Sequence, residues 1–248
     1  MGKSKSNIQR WILSETVKAI ADYKMIENGD KIAIGLSGGK DSGTLLHVLA
    51  YYHKYYPFDF EIVPMHVTMG FEDMDLSPLK QYCESIGHPL HIVPGEIGRI
   101  VFDARQEKNP CSLCANLRRG ALNSAAVEQG CNKVALAHHL DDVIETFFMG
   151  FFYNAQLKTF SPRTYLDRTD LTVVRPFVYI PERDVIKLAK KAEVPIIHNP
   201  CPADKQTKRE EAKELVSELS LRYPRMRDNF IIALKNFKEE NLWPKVMR

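Results

Sequence analysis

The chain has 248 residues, of which 44% are apolar and 26% charged, an ordinary balance for a soluble globular protein with enough apolar material for a real core. Its net charge of +3 is too mild to announce a nucleic-acid binder on its own, and no apolar run has the length of a membrane span or of a secretory signal core. Five cysteines, an odd number with one pair at Cys-x-x-Cys spacing, argue against a disulfide framework. The expectation is a cytoplasmic protein with no membrane partner, using thiols for metal binding or reactivity.

In chain order, Ile8, Trp11, Ile12, Val17, Ile20 and Ala21 share one helical face, so an amphipathic helix is predicted ahead of the first strand. Asn28-Gly29-Asp30 then turns the chain into an apolar strand beginning at Lys31. That strand ends in Leu36, Ser37, Gly38, Gly39, Lys40, Asp41 and Ser42, and an amphipathic helix over Gly43 to Tyr55 follows at once. Gly38 and Gly39 let the backbone approach a ligand closely, so successive N–H groups can converge on an anion at the positive end of the helix. Lys40 adds a charge, and Ser37 and Ser42 add hydroxyls. The spacing is not that of a Walker A loop, because Ile34 stands where its first glycine would be and Asp41 follows the lysine. An acid in a phosphate site makes sense when Mg2+ travels with the nucleotide. Ser-Gly-Gly-Lys-Asp-Ser after a buried strand resembles the PP-loop of the ATP pyrophosphatases, which implies adenylation of a substrate with release of pyrophosphate.

Pro57 ends the helical pattern, and Phe58 to Val67 reads as a second strand. Ligands of parallel α/β sheets lie beyond the carboxyl ends of the strands, so His66 and Val67 are expected beside the adenine of ATP. A helix over Ser77 to Ile86, a short strand at Leu90 to Val93 and an irregular stretch through Asn109 continue the alternation. The fold class is therefore α/β: a Rossmann-like parallel sheet with helices on both faces.

Pro110-Cys111-Ser112-Leu113-Cys114 opens a helix through about Gln129 that carries Arg118 and Arg119. Two thiols at a helix N-terminus can face one metal, and the helix dipole favours thiolate. By itself the pair fits half a zinc site, a redox pair or two iron–sulfur ligands. A strand over Lys133 to Ala137 runs into His138-His139-Leu140-Asp141-Asp142, with its carboxyl end expected near the loop. His139 and Asp142, ahead of His138, are read as nucleotide-facing, although acids at this position also suit a helix first turn. Phe147, Phe148, Phe151 and Phe152 are read as core or interface.

From Tyr153 to Asp170 the chain is expected to be irregular. Lys158, Arg163 and Arg168 interleave there with Phe160 and Tyr165, a composition that suits RNA contact or a solvated loop. Val173-Val174 returns to the sheet, and Pro181 to Lys191 forms a helix with proline in its first turn. Cys201 follows a strand-like Pro195-Ile196-Ile197 and is flanked by prolines. The rest reads as two amphipathic helices, whose basic residues include Lys205, Lys208 and Arg209 and could grip a phosphate backbone. Three parts are expected: residues 1–30 as a packing helix, 31–202 as the catalytic domain and 203–248 as a C-terminal helical extension.

Taken together, the loop, Cys111-Ser112-Leu113-Cys114-Ala115-Asn116-Leu117-Arg118-Arg119-Gly120, His138-His139-Leu140-Asp141-Asp142 and Cys201 resemble the tRNA 2-thiocytidine synthetase family, in the same order from about Ile8 to Phe237. The resemblance implies a 4Fe-4S cluster on Cys111, Cys114 and Cys201, with one iron left free to carry sulfide. It further implies that ATP and Mg2+ adenylate a pyrimidine carbonyl oxygen of tRNA, and that sulfide then replaces that oxygen. Lys40, Asp41 and Asp142 would serve activation, Cys111 and Cys201 sulfur transfer, and Arg118, Arg119, Lys158, Arg163, Lys205, Lys208 and Arg209 the RNA. The implied partners are tRNA and a sulfur donor, either sulfide or a persulfide carrier such as a cysteine desulfurase; a homodimer is compatible.

One departure is that better-known members carry a second Cys-x-x-Cys at the late position, where this chain has Asp204. Cys83 and Cys131 are read as structural. Rival readings are a 2-thiouridine synthetase, an adenylating enzyme with an amine nucleophile such as a lysidine synthetase, and a non-catalytic iron–sulfur or zinc RNA-binding module.

Overall fold

Lys31–Gly35 forms the central strand, β1, and its three middle residues, Ile32, Ala33 and Ile34, are fully buried. Both faces of such a run must be covered, which is the signature of a parallel sheet sandwiched between helices. The computed structural model describes residues 7–56, 58–70, 74–104, 110–197, 208–238, 240 and 242–243. Among these, α1 (Asn7–Tyr23) precedes β1, followed by α2 (Lys40–Tyr55), β2 (Glu61–Val67), α3 (Ser77–Ser85), β3 (His91–Val93), α4 (Pro110–Glu128), β4 (Lys133–Ala135) and α5 (Leu140–Asn154). Next come β5 (Arg163–Leu166), β6 (Leu171–Val174), α6 (Glu182–Lys191), α7 (Lys208–Arg222) and α8 (Met226–Lys235).

The described strands form one six-stranded sheet in the order β3-β2-β1-β4-β6-β5. All pairings are parallel except β5 with β6. The chain leaves β1 toward β2 and β3 on one side and later returns to β4 on the other. The carboxyl ends of β1 and β4 therefore flank a topological switch point, where α/β sheets place their ligands.

Two compact units are present: Met1–His139 with Ser161–Gln206, and Leu140–Phe160 with Thr207–Arg248. The first contains the sheet and α1–α4 with α6. A core of Met65, Val67, Val93, Leu122, Ala126 and Val134 joins α4 to the sheet, and Cys131 is buried within it. Lys133 is the unusual occupant of β4, only 3% exposed. Its ammonium pairs with Asp30 at 2.6 Å and Glu27 at 3.1 Å. Cys83 is buried on α3, and burial pushes its thiol up to about 11.

The second unit joins α5, α7 and α8. Leu140, Ile144 and Val216 form its buried centre, with Phe148, Met226, Phe230 and Ile231 packed around them.

Two expectations need correction. The stretch from Tyr153 to Asp170 is not wholly irregular: α5 runs to Asn154, and Arg163–Leu166 pairs with β6 as an edge strand. Its alternation, with Arg163 and Tyr165 exposed and Thr164 and Leu166 half-buried, spans only four residues and is easily read as loop. Likewise Arg99–Ala104 forms a short π-helical turn inside the stretch expected to be irregular. The phenylalanines of α5 split between two environments. Phe147 packs edge-on against Phe230, whereas Phe151 and Phe152 are exposed.

Candidate functional site

The turn between β1 and α2 is held by its own side chains. The Ser37 amide donates to Ser42 Oγ at 3.1 Å, the Gly39 amide donates to Ser37 Oγ at 3.3 Å, and Ser42 Oγ lies 3.1 Å from the Gly39 carbonyl that accepts from it. Gly38 sits at φ +82°, a conformation that glycine adopts without a steric penalty. The helix cap, Gly39, has extended backbone and no side chain to cap the first helical amides, which leaves the cap itself no competitor to an anion there.

The loop is also tied to distant chain. The Leu36 amide donates to the Met65 carbonyl at 2.7 Å, and the Ile197 amide donates to the Gly38 carbonyl at 2.8 Å. A β-carbon on Gly43 would sit 2.3 Å from Val194 Cγ1, so α2 and the segment after α6 meet in direct contact.

Lys40 lies between two acids. Its ammonium is 3.1 Å from Asp41 Oδ2 and 2.9 Å from Glu182 Oε1. Burial pulls the ammonium down, but Asp41 and Glu182 outweigh it and leave its pKa raised. Asp41 Oδ1 is buried without a hydrogen-bond partner among the described residues, an acceptor available to a cation.

His66 and Val67 end β2, which lies beside β1. The His66 ring bonds through Nδ1 to the Leu36 carbonyl at 2.8 Å, while Nε2 is buried and makes no hydrogen bond among the described residues. Burial, reinforced by the Arg118 guanidinium, lowers the His66 pKa and keeps the ring neutral. His139 follows β4, the other neighbour of β1, and is buried. The loop, His66, Val67 and His139 thus gather at neighbouring strand ends of one sheet.

Cys111 and Cys114 stand three residues apart at the start of α4, Cys111 exposed and Cys114 half-buried against the core. Further along the helix, Leu122 seats on Gly35 at the end of β1, and Arg118 lies near enough to act on His66. Neither thiol forms a disulfide among the described residues, and one turn of helix puts them on the same side, as two ligands of one cluster require. No three metal-binding side chains converge among the described residues. Cys201, with Asp204 and Lys205, lies outside those residues; with it the donor set would be three thiolates, which fits a 4Fe-4S cluster.

Asp142 belongs to the second unit. There the first turns of α5 carry Asp141, Asp142 and Glu145, each facing an arginine of α7 or α8. Arg227 donates to Asp141, and Arg209 stands 3.8 Å from Asp142 and 3.6 Å from Glu145. Glu145 is only 3% exposed. Burial, then the Asp142 carboxylate, pushes its pKa up to about 8, against the opposing pull of Arg209 and Lys213. In the same unit Lys208 lies over the Tyr153 ring at 4.5 Å. Lys158 is exposed there, and Arg163 is exposed on β5 of the first unit.

Glu182 and Arg175 escaped the sequence reading. A glutamate after proline at a helix start looks like a partner of the helix dipole, and nothing in the sequence links it to a lysine 142 residues earlier. Arg175 donates from Nη1 to the Ser161 carbonyl at 2.6 Å, and burial, with Arg119 adding repulsion, lowers it to about 10.

Comparison with known proteins accords with this geometry. The PP-loop domain family matches residues 9–219. A tRNA-cytidine(32) 2-sulfurtransferase of Syntrophotalea carbinolica is 38% identical over 236 residues, covering 94% of this chain and 91% of that protein. One of Bordetella petrii is 38% identical over 239 residues, covering 96% of this chain and 74% of the relative. Among solved structures, the U34-tRNA thiolase NcsA from Methanococcus maripaludis with its [4Fe-4S] cluster shares the fold, with a TM-score of 0.76 at 24% identity over 94% of this chain and 81% of that one.

Proposed function

Because this chain belongs to the PP-loop domain family, and within it to the tRNA-cytidine(32) 2-sulfurtransferases, we propose that it uses ATP to replace the 2-oxygen of a tRNA cytidine with sulfur. The observation that carries the reading is the arrangement at the end of β1: a phosphate-sized loop, with the Cys-x-x-Cys helix seated against Gly35 by its Leu122.

The amides of the first turn of α2 and the Lys40 ammonium bind the polyphosphate, and Asp41 offers a carboxylate to its Mg2+. His66, neutral and buried, presents a ring nitrogen to the nucleotide beside the adenine-facing Val67. The cytidine carbonyl oxygen attacks the α-phosphorus, and the bond to pyrophosphate breaks. Sulfide then adds to the activated carbon, and AMP departs with the original oxygen, so the base gains sulfur and loses that oxygen with no net redox change. Cys111, Cys114 and Cys201 would hold the cluster, which when bound supplies an iron open to sulfide. Arg118, Arg119, Lys158, Arg163, Lys205, Lys208 and Arg209 are the candidate contacts to tRNA phosphates. Asp142 and His139 complete the nucleotide side of the reading. Free sulfide is the donor in this redox-neutral form; a persulfide carrier such as a cysteine desulfurase would deliver the same sulfur only with two electrons from a thiol reductant, which ends as a disulfide, and a homodimer in the cytoplasm is compatible with these roles. No helix among the described residues is long and apolar enough to cross a membrane.

The test is anaerobic reconstitution with iron and sulfide, followed by turnover with ATP, Mg2+, sulfide and tRNA. AMP formation that depends on tRNA, together with 2-thiocytidine found by mass spectrometry, is expected. Thiouridine in its place would move the chain to the neighbouring activity, and colourless protein holding stoichiometric zinc would overturn the cluster.

A further inference from the structure

We propose that the aromatic end of α5 is a stacking platform for an unpaired base of the tRNA substrate, with Phe152 as the ring that receives the base and Lys158 beside it for the adjoining phosphate. The inference rests on tRNA being the substrate, as proposed above, and adds the place where one of its unpaired bases is held.

The platform extends the core of its own unit. Phe148 packs against the buried cluster of Leu140, Ile144 and Val216. Phe152, one turn further along α5, stacks on Phe148 with ring centres 5.7 Å apart and planes 11° from parallel. Phe151 meets Phe152 at a steep 66°, with centres 5.3 Å apart. Both outer residues are still more than half exposed, Phe151 at 52% and Phe152 at 55%. A column of rings anchored in a core and open to solvent at its outer end can be continued by another flat π-system, and a nucleobase unstacked from its own strand is one.

The backbone brings a cation to the same place. Gly150 has no side chain, and a β-carbon there would lie 2.9 Å from the Gln156 carbonyl oxygen and 3.4 Å from that of Lys158. The chain after α5 therefore folds back against the helix. The Gln156 amide donates to the Gly150 carbonyl at 3.0 Å, and Thr159 Oγ1 donates to the Val143 carbonyl at 3.1 Å. This turn leaves Lys158 exposed and packed beside Gly150, the residue before Phe151. Next along α5, Lys208 lies over the Tyr153 ring at 4.5 Å, and Glu211 accepts a hydrogen bond from the Tyr153 hydroxyl. From Thr146 to Phe160 the chain carries Lys158 and no acid, so nothing in that segment repels a polyanion. The centres of protein–protein contacts are depleted of charge, whereas exposed rings interleaved with lysines are how single-stranded RNA is held.

The experiment measures binding of an unmodified tRNA transcript to the full-length protein by fluorescence anisotropy at several salt concentrations, and binding of ATP·Mg without RNA by calorimetry. Phe152→Ala is expected to weaken tRNA binding at least about fivefold, as loss of one base–aromatic stack does, with its salt dependence and the ATP affinity unchanged. Phe152→Tyr and Phe152→Trp should bind within about twofold of wild type, whereas Phe152→Leu, apolar but not flat, should behave as Phe152→Ala. Lys158→Ala should make the slope of log affinity against log salt shallower by about 0.7, the value of one lost phosphate contact on a single strand. Wild-type affinity in Phe152→Leu assigns the ring to packing and overturns the proposal, as does wild-type affinity in Phe152→Ala. A Phe152→Ala protein that keeps its RNA affinity but changes from dimer to monomer in light scattering also overturns it, in favour of a contact between copies. Should Phe152→Ala fail to fold in a thermal melt, Phe152→Leu against Phe152→Tyr carries the same comparison. If the wild type binds no tRNA, the functional reading itself falls; if it binds and forms AMP while every Phe152 variant matches it, only the platform is lost.

Discussion

Arg227 grips Asp141 twice through a single oxygen: Nε donates to Oδ1 at 2.9 Å and Nη2 donates to the same atom at 2.6 Å. The Asp141 side chain is 7% exposed, so these two charge-assisted hydrogen bonds are made largely out of water. Arg227→Ala is expected to destabilise the α5–α8 unit by about 3 kcal/mol, because it removes two charge-assisted hydrogen bonds from a buried carboxylate. Urea titration followed by circular dichroism measures the loss. Adding Asp141→Asn should recover part of it, since a neutral amide tolerates burial better.

Glu145 predicts a pH dependence of stability. Its carboxyl titrates near 8 in the folded chain and near its ordinary value of 4.5 when unfolded. Between those values the folded state holds a proton that the unfolded state has lost, so stability falls as pH rises, by up to about 1.4 kcal/mol per pH unit, and levels off above the folded pKa. Glu145→Gln should flatten that slope and raise the melting temperature at pH 8 relative to wild type. Thermal melts between pH 5 and pH 9 provide the comparison.

Gly43→Ala would place a methyl 2.3 Å from Val194 Cγ1, inside van der Waals contact. The cost is expected to be about 1–3 kcal/mol, with weakened ATP binding as α2 is pushed from its seat. Val194→Ala deletes the opposing methyl, so the double variant should bind ATP better than Gly43→Ala alone. Fluorescent-nucleotide titration of the three proteins reads this directly.

Cys111 and Cys114 predict an asymmetric response to metal loss. Cys111→Ser, at an exposed position, should abolish iron binding after anaerobic reconstitution while leaving the melting temperature of the iron-free protein within about 1 °C of wild type. Cys114→Ser should abolish iron binding and also lower that temperature, because Cys114 packs against the core. Iron content and calorimetry on the same samples separate the two effects.

The sequence made the activating half of the site legible because its signals are local. Ile32, Ala33 and Ile34 form an unbroken buried run, and the glycine pair after them admits few structures other than a tight turn into a helix. The cysteine pair was equally visible, its spacing being set by one helical turn. Glu182 was invisible because its meaning comes from a contact made by folding and not from its neighbours in sequence. Arg209 was read as a basic contact for RNA on composition alone, and the structure shows it engaged with Asp142 and Glu145. Edge strand β5 was missed because four alternating residues carry too short a period to stand out from loop.

The bond from the Ile197 amide to the Gly38 carbonyl has a thermodynamic consequence. A glycine-rich loop left to itself would sample many backbone shapes and would lose that freedom whenever a ligand settled on it. Here one peptide group is claimed by a distant part of the chain, and Ser37 and Ser42 brace the rest. The ordering entropy was spent during folding, so little of it remains to oppose each encounter with nucleotide.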